Sequence, residues 1–129
     1  MGKILLYVAG LIFTGYGLAC LVNPEIATSA AGLAATNGDG MTEIGAMYGG
    51  FQTGFGLFCL LCARRSEYAA AGLWALLLGI GLLAAGRSYH ALLATEPLTV
   101  YSYGAIAFES LVTVLAAVAL LKRGGQAPG

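Results

Sequence analysis

The sequence predicts an all-α fold: a four-transmembrane-helix bundle, antiparallel, with a short outer surface helix between spans one and two. Three observations predict it. The chain is 59% hydrophobic and only 9% charged, with a mean hydropathy of +0.84, whereas soluble domains carry about 25% charged residues. Four stretches approach the roughly 20 apolar residues that a bilayer core demands of a helix. Five of the six basic residues flank those stretches, and only at the two chain ends and in the connection between the second and third. The 129 residues suit a single domain, and the formal net charge of zero leaves no basic stripe for a nucleic-acid partner. Strict apolar/polar alternation is missing, which argues against a transmembrane barrel.

The first span is expected over residues 4–22. It follows Lys3 and ends near Leu18-Ala19-Cys20, a poor lipoprotein-type cleavage site, so the span is expected to stay in the protein. The connection 23–40 is long. Asn23 suits an N-cap and Pro24 a first helical position, which predicts a short helix over 24–35, with Gly38 as its stop. The second span is expected over 43–62, the third over 68–94 and the fourth over 100–121. The connections 64–67 and 95–99 are short and force antiparallel neighbours. The tail 124–129 is polar and glycine-rich and is expected to be mobile.

Orientation follows from Lys3, Arg64, Arg65, Lys122 and Arg123, which flank the spans on one side. The opposite connections carry Glu25, Asp39 and Glu96 and no basic residue. The positive-inside rule then places both termini in the cytoplasm.

Helices in lipid associate by close packing, so small residues mark contact faces. The second span has Gly45-x-x-x-Gly49 and Gly50-x-x-x-Gly54, with Gly56 beyond; Gly10, Gly15 and Gly17 in the first span are counterparts. These faces serve either internal packing or a homodimer.

Arg87 and Glu109 interrupt the third and fourth spans. A charge there costs roughly 2.5–3.5 kcal/mol on insertion scales and persists where it is paired, hydrated or useful. At a rise of about 1.5 Å per residue, the two lie roughly 10 and 13 Å from the outer edge, close to one depth. Glu43 starts the second span at the same edge. His90 lies three residues beyond Arg87 on the same face, and Tyr48, Gln52 and Ser102 can add hydrogen bonds. The expected cluster is Glu43, Tyr48, Gln52, Arg87, His90 and Glu109, in the outer half of the membrane. The inner half carries only packing residues, which argues for an outward-facing cavity over a pore. Two roles stay open: an ion pair that sets helix register, or a ligand or proton site.

Cys59-Leu-Leu-Cys62 has redox or metal spacing. The single histidine is expected at the other membrane face, so no metal site and no cofactor are expected. No nucleophilic triad, phosphate loop, dinucleotide fingerprint or zinc-protease helix is present in the sequence.

Asn23-Pro24-Glu25, then Glu43-Ile-Gly-Ala-Met-Tyr48-Gly49-Gly50 and Gly54-Phe-Gly56, with Arg87 and Glu109 late in the chain, resemble a bacterial domain-of-unknown-function family. Its members are small four-span membrane proteins, DoxX-like in architecture. The resemblance covers nearly the whole chain. It implies a four-helix membrane bundle, no settled activity, and polar positions at Glu43, Tyr48, Arg87 and Glu109. Members often carry Arg two residues after the glutamate, where this chain has Gly45.

Three functions follow as expectations. The first is a small-molecule or lipid binding or transport-accessory protein of the bacterial inner membrane, with membrane lipid as its surroundings. The second is an accessory subunit whose glycine faces meet a partner membrane protein or a second copy. The third is a membrane enzyme on a lipid or quinone-like substrate, with Glu109 or His90 as acid/base. The absence of a positioned nucleophile weighs against the enzyme.

Overall fold

The computed structural model describes residues 1–125, and every regular element in them is helical. We number the helices α1 (Gly2–Val22), α2 (Glu25–Ala31), α3 (Gly38–Arg64), α4 (Ser66–Leu93) and α5 (Val100–Gly124). All but α2 are long and apolar enough to cross a membrane. Their surfaces agree with that: Val22, Leu92 and Val100 are each more than 80% exposed. Apolar surface on this scale is a liability in water and is at home in lipid. The chain reads as a multi-pass membrane protein. The expected tail falls largely on residues 126–129, outside the described residues.

The contacts divide the chain into two compact units: Tyr7–Leu61, and Met1–Leu6 with Cys62 onward. Glycine holds the first unit together. A methyl group on Gly17 would stand 2.5 Å from the Thr53 backbone nitrogen, and one on Gly49 2.7 Å from Leu21 Cα. On Gly10 it would stand 2.7 Å from Leu60 Cγ, and on Gly56 it would overlap the Thr14 nitrogen and hydroxyl. Residues 10, 14, 17 and 21 of α1 thus oppose 60, 56, 53 and 49 of α3, an antiparallel seam with a step of four, three and four residues. Each contact sets a glycine of one helix against the next helix's backbone or side chain, the close approach that small residues permit in lipid. An edge-on Phe13–Phe55 contact, with centroids 5.3 Å apart, fills space beside the seam. Gly15, Gly50 and Gly54 face open space instead. Four of the small positions therefore serve internal packing.

The connection between α1 and α3 differs from expectation. Asn23 Oδ1 accepts the Glu25 N–H at 3.1 Å, and Pro24 is already helical at φ −60°. The short helix ends at Ala31 instead of residue 35, because Gly32 takes the left-handed conformation (φ 66°) and closes it. Gly38 begins α3 and is not a stop. Asn37 Oδ1 accepts the Gly40 N–H at 2.9 Å, an N-cap that starts the second span five residues before Glu43. Asn37→Ala should remove about 1 kcal/mol of stability, read as a lower midpoint in thermal unfolding in detergent.

Two segments are wound as π helix: Gly45–Phe51 in α3 and Leu76–Ile80 in α4. Each inserts a wider turn and rotates the helix beyond it, a feature frequent at functional sites.

In the second unit, α4 buries Ala69, Leu73, Leu76, Ile80 and Ala84, while α5 buries Glu109, Val112, Ala116 and Ala119. Both stripes repeat every three or four residues, as one helical face must. α4 and α5 pack along their lengths. A methyl on Gly81 would stand 3.1 Å from Thr113 Cγ2, and Arg87 meets Glu109, so higher numbers on α4 meet lower numbers on α5, as an antiparallel hairpin requires. The first turn of α1 belongs to the same end as Ala119: a methyl on Gly2 would stand 3.1 Å from Leu73 Cδ1 and 3.5 Å from Ala119 Cβ.

Candidate functional site

The buried stripes of α4 and α5 each continue into a charge. Arg87 follows Ala84 by three residues, and Glu109 precedes Val112 by three. Helical geometry therefore projects both charges into the seam already lined by apolar side chains. Arg87 lies six residues from the end of α4, about 9 Å along the axis, and Glu109 nine residues into α5, about 13 Å.

The two meet fork to carboxylate. Arg87 Nε donates to Glu109 Oε1 and Oε2 at 3.2 and 3.0 Å, and Nη2 donates to Oε1 at 2.9 Å. Such bidentate, charge-assisted pairs are the strong class of hydrogen bond and fix orientation as well as charge. The Arg87 guanidinium also lies 5.9 Å from the centre of the Tyr101 ring, a contact worth roughly 0.5–1 kcal/mol. Thr113 Oγ1 donates to the Glu109 carbonyl at 2.7 Å, so the backbone that carries the glutamate has an additional tie one turn along.

The pair is lopsided. The Glu109 side chain is 7% exposed and the Arg87 side chain 27%. The carboxylate is enclosed, while a quarter of the arginine is open. An incoming group would therefore meet a cation backed by a buried counter-charge.

His90 is exposed and sets its ring edge-on to Tyr89 at 5.2 Å. Glu43, Tyr48 and Gln52 belong to the first unit. Glu43 is exposed in the second turn of α3, Tyr48 is half-buried within the π segment, and Gln52 is half-buried just after it. Arg87 and Glu109 are thus the two candidates joined by a direct contact. Sequence reasoning missed Tyr101 and Thr113. Thr113 was findable, since Thr four residues after a key position commonly bonds back to its carbonyl. Tyr101 lies about 80° around the helix from Glu109, so face matching alone does not select it.

Cys20, Cys59 and Cys62 are buried, and among the described residues no disulfide joins them. Among the described residues no three His, Cys, Asp or Glu side chains gather as a metal-binding group.

With this geometry in hand, comparison with known families is informative. A family described as a domain of unknown function, DUF4345, matches residues 1–120. The chain belongs to the DUF4345 family. This bears out the resemblance to a domain-of-unknown-function family, and the match takes in both glycine-packed helices and the Arg87–Glu109 pair. No curated protein and no solved structure matches the chain.

Proposed function

We propose that this DUF4345 protein is a bacterial inner-membrane protein, DoxX-like in architecture, that binds an anionic small molecule or lipid headgroup at Arg87 in a binding or transport-accessory role. The observation that supports it is the unequal exposure of the ion pair. A purely register-setting pair gains nothing from leaving the Arg87 side chain about one-quarter exposed beside an enclosed Glu109, and charge exposed inside an apolar span is costly. Both termini are read as cytoplasmic, because five of the six basic residues flank the spans on one side. Arg87 then lies in the outer half of the membrane, reachable from the outer leaflet.

Native mass spectrometry of the detergent-purified protein tests this. The wild type should retain an anionic adduct. Arg87→Leu with Glu109→Leu, which removes both charges together, should stay folded and lose it. An adduct kept equally by both proteins, or absent from the wild type, defeats the reading.

An accessory-subunit role, with the charges purely structural, is the second reading. Gly50 and Gly54 favour it: they lie four residues apart and face open space, as a helix face for close packing against a further protein requires. An enzyme has less support. Both Glu109 oxygens are taken by Arg87, and His90 is exposed with its ring edge-on to Tyr89.

A further inference from the structure

We infer that the membrane end opposite Arg87 is a binding site for anionic phospholipid headgroups, built from Lys3, Arg64, Arg65, Lys122 and Arg123. The sequence places these residues on one side of the membrane; the fold of the second unit gathers them. Lys3 Nζ donates to Ser66 Oγ at 2.9 Å, which ties the first turn of α1 to the α3–α4 turn carrying Arg64 and Arg65. The contact of the Gly2 position with Ala119 brings in α5, whose last turn carries Lys122 and Arg123. These two lie only three and four residues beyond Ala119, about 5–6 Å along the axis.

Among the described residues, five basic side chains share this end with one acidic side chain. Glu67 stands 3.7 Å from Arg65, and both side chains are more than 60% exposed, so this pair neutralises little. Among the described residues Arg64, Lys122 and Arg123 have no carboxylate within 4 Å. The surface is flanked by Tyr68, 44% exposed, an interfacial aromatic at headgroup depth. Concentrated positive charge at a helix-bundle end, beside an interfacial aromatic, matches a phosphodiester headgroup whose acyl chains lie along the apolar helix faces. An acidic segment of a soluble protein would match the charge but would leave those faces unused.

The protein carries a built-in reporter. Trp74 is its single tryptophan, 51% exposed on α4 and eight residues from Ser66, about 12 Å along the axis and so at acyl-chain depth. The full chain would be reconstituted in vesicles of phosphatidylcholine containing either brominated phosphatidylglycerol or brominated phosphatidylcholine. Trp74 fluorescence should be quenched with a relative binding constant about fivefold higher for the anionic lipid at low salt. The preference should fall toward one at about 0.5 M salt, and in the triple variant Arg65→Gln, Lys122→Gln, Arg123→Gln. Equal quenching by the two lipids in the wild type overturns the inference, as does a preference that survives the triple substitution. If the triple variant does not fold, the salt dependence of the wild type decides: a preference indifferent to salt overturns it. The Arg87 adduct test is independent of this result, since none of these substitutions touches the Arg87–Glu109 pair.

Discussion

Glu109→Leu should destabilise the fold by about 3–5 kcal/mol, the cost of leaving one member of a buried pair without its counter-charge. Arg87 would keep its place on the α4 seam, three residues from buried Ala84, and would face Leu instead of a carboxylate that accepts three hydrogen bonds. Arg87→Leu should be costly in the same way, because Glu109 is the more enclosed of the two. The double variant, Arg87→Leu with Glu109→Leu, should recover to within about 1–2 kcal/mol of the wild type, since an apolar replacement of a buried ion pair is often neutral. Steric-trapping measurements of unfolding free energy in bicelles close the cycle. Two single losses of about 3–5 kcal/mol against a double loss of about 1–2 kcal/mol imply a coupling energy of at least about 4 kcal/mol. Additive losses would show instead that Arg87 and Glu109 do not depend on one another, and the ion pair would lose its standing as the centre of the site. Stability and binding are separable here: the double variant is expected to be stable and empty.

How much of this was legible beforehand depends on the kind of residue. A charge in an apolar span announces itself, because its cost is large and its remedies few. The depth argument needed only helix rise to place Arg87 and Glu109 at one level. The packing glycines were equally visible as a class. Which of them pack was not: Gly49 and Gly56 meet α1, whereas Gly50 and Gly54, one or two residues away, do not. That choice depends on the rotation of α3, which the π segment over Gly45–Phe51 alters and no residue pattern discloses. The start of α3 was misjudged for a different reason. Asn37-Gly38-Asp39-Gly40 has the composition of a turn, yet the Asn37 side chain uses it to cap a helix. Asparagine favours both roles, and only the acceptor contact with the Gly40 N–H separates them.

Gly56→Leu should cost about 3 kcal/mol, at the upper end of what overpacking usually does, because the obstacle is backbone. A Cβ on Gly56 overlaps the Thr14 amide nitrogen and hydroxyl and stands 2.8 Å from the Gly10 carbonyl oxygen. No rotamer change relieves a clash with main-chain atoms, so α1 and α3 would have to separate and lose the neighbouring contacts at Gly17 and Gly49. Gly54→Leu is the control. It lies two residues away, has the same helix-propensity gain over glycine, and meets nothing within 4 Å. It should leave the unfolding midpoint of the protein unchanged or slightly raised. The pair of variants therefore distinguishes seam packing from a general effect of glycine content. If Gly54→Leu were the more damaging, the glycine face in use would be the one directed away from α1. That outcome would favour the accessory-subunit reading, in which α3 packs against another protein. If Gly56→Leu alone is damaging, the seam is internal and the open face at Gly50 and Gly54 contributes nothing to the stability of the isolated chain.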